Sequence, residues 1–269
     1  MGNHPRKTRY FIKALAKGLS VLQAFGEKGH PLTASEIANA LGVSNSTSTR
    51  LCYTLTELGF IQRDSHGRYN LTPKTITFGY SYLSHLTWWE VVNRYLESLY
   101  EKVQETVNLA VLDGSEIIYL IRMRKAKYLP FDIRMGTKLP VFCTAMGKVL
   151  MAMGPEEKTR VILKTLEFKP LTVHTIMRLD DFIKELEKVR EKGYAIADEE
   201  LSLGIRAIGA PIVDKNGYAV AAINITVPTA KYSLKELEKT LAPEVKLVAS
   251  QISKALLKIK DPLVMGDLC

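Results

Sequence analysis

The run from Leu139 to Ala152, LPVFCTAMGKVLMA, gathers residue types that often do chemistry. Cys143 could serve as a nucleophile, and Gly147-Lys148 could belong to a phosphate loop. Neither pattern is complete. A thiol nucleophile needs a base, and no His or Asp lies near Cys143 in sequence. A phosphate loop needs an earlier glycine and a Ser or Thr after the lysine, where this chain has Val149. No G-x-S-x-G, H-E-x-x-H or paired-carboxylate pattern occurs elsewhere, so no enzyme, catalytic residue or cofactor is expected. What the run can do is hold an anion. Pro140-Val141-Phe142 reads as an extended approach, Thr144 as an N-cap, and Ala145 to Ala152 as a helix ended by Gly154-Pro155. The N–H groups of Ala145, Met146 and Gly147 would then point out of the helix start, where carboxylates bind. Cys143 is expected to be a small packed side chain.

A second group of residues suits nucleic acid. On a helix capped by Ser44, steps of about 100° put Asn45, Ser46, Thr49, Arg50 and Tyr53 on one face. Thr47, Leu51, Leu55 and Leu58 form the opposite stripe. The polar face carries hydrogen-bonding groups and one arginine, with no carboxylate until Glu57, so it can enter a major groove without repelling phosphate. Arg63, His66 and Arg68 lie in Phe60–Leu71, which alternates about an Asp-Ser-His-Gly tip and reads as a hairpin near phosphates.

The elements before these residues position them. Residues 12–26 read as an amphipathic helix on Leu15, Leu19 and Leu22. Thr33-Ala-Ser-Glu36 is a capping box, opening a helix that turns Ile37 and Leu41 inward and stops at Gly42. A short turn then leads to the polar-faced helix. This order predicts a winged helix-turn-helix that binds double-stranded DNA. The alternative function is a small-molecule-binding protein whose winged helix mediates protein assembly.

Charge supports the DNA reading. The net charge is +9, and residues 1–75 hold ten Lys and Arg against four Asp and Glu, so two thirds of the excess sits there. At 269 residues and 46% hydrophobic, the chain can bury the cores of two domains. No apolar run can span a bilayer, and MGNHPRKTRY lacks the apolar segment of a secretory signal, so a cytoplasmic setting and no membrane partner are expected. Three cysteines and five scattered histidines match no metal or disulfide pattern, so no metal is expected.

Residues 74–104 read as a linker helix, with Leu83, Leu86, Val92, Leu96, Leu99 and Val103 near one stripe. Its apolar surface suits pairing with a second copy. From residue 106 the period becomes two. Strands are expected up to Asp113-Gly114, from Glu116 to Met123, from Ile205 to Val213, and from Tyr218 to Val227 after the Asn216-Gly217 turn. Residues 180–192 read as a helix, and Ser233-Leu-Lys-Glu236 caps a last helix that Pro243 must interrupt or kink. The fold class is α+β. The boundaries are 1–73 for the winged helix, 74–104 for the linker and 105–269 for the second domain. Asp198, Glu199 and Glu200 read as a charge run that is solvated or paired with Arg206.

Five runs together resemble the IclR family of transcriptional regulators: ALAKGLSVLQAF (14–25), LGVSNSTSTRLCYTLTELGFIQRD with GRYNLT (41–72), GTKLPVFCTAMGKVLMA (136–152), GYAIADEELSLGIRAIGAPI (193–212) and AVAAINITVP (219–228). They are most similar to the branch that answers to aromatic acids such as protocatechuate and para-hydroxybenzoate. The resemblance implies a GAF-like antiparallel-sheet effector domain, a small organic acid effector, and homodimers that can pair into a dimer of dimers. It also implies a pocket of Tyr128, Phe131, Leu139, Ala145, Met146, Ala207, Asn224 and Thr226, with Thr144 at the helix start. Small-acid relatives carry an acidic residue where this chain has Ala197, and serines where it has Asn224 and Thr226. These departures fit a flatter, larger acid. Arg134 can pair the carboxylate bidentately or be only a surface charge before Gly136.

Overall fold

The computed structural model describes residues 10–124 and 133–259. It divides into two compact units, Met1–Leu86 and Thr87–Cys269.

The first unit runs α1 (Lys13–Lys28), α2 (Ala34–Leu41), α3 (Asn45–Glu57), β1 (Ile61–Arg63), β2 (Tyr69–Leu71) and α4 (Ile76–Ser84). Local chemistry explains the joints. Thr33 and Glu36 form both bonds of the capping box on α2. Gly42 ends α2 at φ 62°, a left-handed conformation that favours glycine. Ser44 then caps α3 by accepting from the Thr47 N–H. β1 and β2 pair antiparallel, with Ile61 opposite Leu71. Val21, Phe25, Leu32, Ile37, Cys52 and Ile61 form the core.

Two stripes differ from their sequence reading. On α1 the buried face is Val21, Ala24 and Phe25, while Leu15 and Leu19 are more than half exposed. The helix has more apolar residues than inward positions, so periodicity alone does not choose between stripes. On α3 the buried line is Ser48, Cys52 and Leu55, rotated from Thr47, Leu51 and Leu58. Ser48 fits because its hydroxyl donates to the Ala34 carbonyl at 2.7 Å, where α2 and α3 approach.

The second unit begins with α5 (Trp89–Val103). It continues with β3 (Thr106–Asp113), β4 (Glu116–Met123), β5 (Lys138–Pro140), α6 (Ala145–Met153), α7 (Glu156–Thr165) and α8 (Leu179–Lys192). β6 (Ala195–Asp198), β7 (Ile205–Val213), β8 (Ala219–Pro228), a one-turn α9 (Leu234–Glu236) and α10 (Ala242–Leu256) complete it. Six antiparallel strands form one sheet in the order β5-β4-β3-β8-β7-β6. α5 and α10 pack together on one face, and α6, backed by α8, packs on the other. Alternation along β8 sends Ala222, Asn224 and Thr226 toward α6 and Ile223, Ile225 and Val227 away from it.

Two other segments depart from expectation. Residues 74–104 are two helices, α4 and α5, and they belong to different units. The break is local: His85 and Leu86 bond back three residues, tightening the last turn of α4, and the Trp88 side chain is buried. Val141–Cys143 is a 3₁₀ turn rather than extended chain. At Pro243 the helical run is not interrupted: a π-helical turn at Leu237–Leu241 stands directly before α10 and takes up the irregularity, closer to a kink than to a break.

Candidate nucleic-acid interface and effector pocket

The polar face of α3 stands in solvent: Asn45, Ser46, Thr49, Arg50 and Tyr53 are all exposed. In the β1–β2 hairpin, Arg63 and His66 are also exposed. The Arg63 Nε donates to the Gly67 carbonyl at 3.3 Å, and its guanidinium carbon lies 5.8 Å from the Tyr69 ring centre. Arg68 is partly committed, because its Nε pairs with Asp64 Oδ2 at 3.1 Å. The other Asp64 oxygen accepts from the His66 and Arg68 N–H groups. The Arg68 N–H, foremost among these bonds, holds the Asp64 carboxyl below its usual range. Arg68 therefore shapes the hairpin tip as well as charging it. Lys13 and Lys17 of α1 were not read from sequence. With Thr47, Arg50 and Thr54 they line a groove of about 420 Å³ between α1 and α3. Their i, i+4 spacing was the available signal.

In the second unit the helix start is built as the residues suggest. Thr144 caps α6 by accepting from the Gly147 N–H at 3.2 Å. That bond uses one of the three amides expected to be free and leaves those of Ala145 and Met146. Gly209 of β7 lets the helix come this close: a Cβ there would stand 3.2 Å from the Ala145 carbonyl carbon and 3.3 Å from the Met146 nitrogen. Thr144, Ala145, Ala207, Asn224 and Thr226 all line one cavity of about 30 Å³. Leu139 and Met146 are buried but do not line it, and Arg134 is exposed and does not line it either. Tyr128 and Phe131 lie outside the described residues. Tyr119, Ile133, Cys143, Leu201 and Ile205 also line the cavity and carried no sequence signal of doing so. Burial pushes the Cys143 thiol up to about 12 and raises the Tyr119 hydroxyl, so both stay protonated at neutral pH.

Behind the cavity lies a charge cluster that the sequence reading assigned to solvent. Asp198 pairs with Arg206, as one reading allowed. Glu200 is buried, and its Oε1 accepts from the fully buried Lys148 at 2.5 Å. Lys148 also reaches the Ile196 carbonyl at 3.0 Å and Glu185 at 3.3 Å. Glu199 adopts φ +57°, and its carboxylate accepts from the Gly204 N–H at 2.7 Å, closing the turn that carries Leu201.

Among the described residues no group of three His, Cys, Asp or Glu could hold a metal, and no helix is long and apolar enough to cross a membrane. A winged helix-turn-helix, in one chain with a sheet unit whose capped helix opens on a cavity of mixed polarity, defines the class of DNA-binding transcriptional regulators with an effector domain. The chain belongs to the IclR family: residues 14–65 match the IclR helix-turn-helix domain and residues 80–254 the bacterial transcriptional regulator IclR C-terminal region. It is 32% identical over 234 residues to the Pca regulon regulatory protein of Pseudomonas putida, covering 87% of this chain and 80% of that protein. It is 30% identical over 251 residues to the p-hydroxybenzoate hydroxylase transcriptional activator of Acinetobacter baylyi, covering 91% and 92%. The crystal structure of Thermotoga maritima IclR superposes with a TM-score of 0.68 at 31% identity, covering 92% of this chain and all of that one. Its relatives are regulators of transcription, and the chain is a DNA-binding regulator rather than an enzyme.

Proposed function

We propose that this regulator senses a small aromatic acid, held with its carboxylate on the Ala145 and Met146 amides. The observation that carries the reading is the capped start of α6, whose first residues, Thr144 and Ala145, line a cavity of mixed polarity. Tyr119, Ile133 and Leu201 offer apolar walls that suit a ring. The names of the two curated relatives, one for the pca regulon and one for p-hydroxybenzoate hydroxylase, support the same ligand class. A ring needs more room than about 30 Å³; a dry cavity that admits benzene is about 150 Å³. Entry therefore requires lining groups such as Leu201 to give way. Thermal shift of the full chain against aromatic and short-chain keto acids tests this. Aromatic acids are expected to raise Tm in a concentration-dependent way; a rise with short keto acids alone would overturn the reading.

On the DNA side, the α3 face reads the major groove. Arg63, His66 and Arg68 meet the backbone, joined by Lys13 and Lys17 at the groove beside Arg50. The exposed Ile76, Phe78 and Tyr80 of α4 and Leu15 and Leu19 of α1 suit burial against a second copy, giving a homodimer. Arg50→Ala is expected to weaken operator binding by at least about tenfold. Unchanged affinity in a salt titration would remove Arg50 from the interface.

A further inference from the structure

Four polar side chains on three neighbouring strands form one hydrogen-bonded series that ends in the cavity. Asn108 of β3 stands opposite Arg122 of β4 on one side and Asn224 of β8 on the other. Arg122 Nη1 donates to Asn108 Oδ1 at 3.0 Å. Asn108 Nδ2 donates to Asn224 Oδ1 at 2.7 Å and to Thr226 Oγ1 at 3.3 Å. Asn108 is wholly buried, and Asn224 is 2% exposed. Asn224 and Thr226 line the cavity. Asn224 pairs with Gly209, the residue that lets the start of α6 approach the sheet, so this series ends beside the helix amides.

An asparagine can usually present either end of its amide. Here the choice is removed. A guanidinium has donors only, so Asn108 must turn its oxygen to Arg122. Its amino group then faces β8, and Asn224 must meet it with oxygen. Thr226 likewise gives a lone pair. What remains for the cavity is the Asn224 amino group, which can only donate, and the Thr226 hydroxyl, which keeps its hydrogen and a second lone pair. Neither donates to an acceptor among the described residues. A buried donor left without an acceptor costs more than one hydrogen bond returns, so an occupant gains by bringing an oxygen there.

We propose, on the footing that this cavity holds the effector, that Arg122 and Asn108 are positioning residues that fix its hydrogen-bond polarity. The effector must offer two acceptors: a carboxylate at the helix start and a second oxygen, carbonyl or phenolic, that accepts from the Asn224 amino group. An acid whose far group cannot accept there binds more weakly.

The test uses the full chain, with para-formylbenzoate as the acceptor probe and para-aminobenzoate as the donor probe. Calorimetry should rank the acceptor probe about tenfold or more tighter. Asn108→Asp keeps the size and still accepts from Arg122, but cannot donate. In that variant Asn224 turns its amino end to the new carboxylate and shows the cavity its oxygen, so the ranking should invert. Arg122→Lys, which keeps a donor, should hold the wild-type order, and Arg122→Met should flatten it. The same order in wild type and Asn108→Asp overturns the proposal. A second readout needs no ligand: the Asn108 side-chain amide protons should exchange slowly in wild type and quickly in Arg122→Met. Fast exchange in wild type overturns the proposal whichever acid binds. Slow exchange with no benzoate bound keeps the relay and removes only the aromatic reading.

Discussion

Gly147→Ala is expected to destabilise the second unit by about 3 kcal/mol or more and to abolish any acid-induced thermal shift. The new Cβ would stand 2.4 Å from the Val141 Cα, 2.5 Å from the Val141 oxygen and 2.6 Å from the Thr144 Oγ1. Two of these three are backbone atoms of the 3₁₀ turn, so no side-chain rotation relieves the overlap. The helix start must move off the turn, and with it the cap and both free amides. Both tryptophans, Trp88 and Trp89, lie in this unit, so their fluorescence in a denaturant titration reports the loss directly. A wild-type midpoint would show that the turn yields more easily than its packing implies.

Lys148→Met is expected to cost about 3–5 kcal/mol, because it strands the Glu200 carboxylate in the core. Glu200 already carries one buried oxygen, Oε2, without a hydrogen-bond partner. Desolvation raises the Glu200 carboxyl above its ordinary value, and Lys148 opposes that rise. A group raised on folding contributes stability that is full below its unfolded pKa and is lost as pH climbs through the folded value. Removing the ammonium raises Glu200 further. The Lys148→Met penalty should therefore be smallest in acid, where Glu200 is protonated in both states, and grow toward neutral pH. Denaturation curves at about pH 5 and about pH 8 measure the difference. The double variant Lys148→Met with Glu200→Leu should recover most of the loss, since an apolar pair of similar volume replaces two buried charges. An equal penalty at both pH values would mean that the pair is not the source of the effect.

Where the sequence spoke through neighbours in the chain, it was legible. The Thr33 box, the Ser44 and Thr144 caps and the Gly114 and Asn216-Gly217 turns each rest on contacts within five residues. β5 and β6 were not legible, because strands of three and four residues at the sheet edges depend on pairing with β4 and β7. Glu200 was misread for the same reason. Three acids in a row resemble a wet surface, and the partner that buries this one lies 52 residues earlier. At the pocket, Asn224 and Thr226 came from the family resemblance, while Tyr119 and Leu201 reach the cavity only through the curl of the sheet and the turn before β7.

The neutral Cys143 thiol has one more consequence. Oxidants and alkylating agents attack the thiolate, and at about 12 this group supplies almost none in a living cell. A sulfur set into the wall of a chemical sensor would ordinarily make it answer to peroxide as well as to its signal. Burial keeps this one protonated, so on the proposed reading the cavity answers to an acid and its thiol stays out of thiolate chemistry.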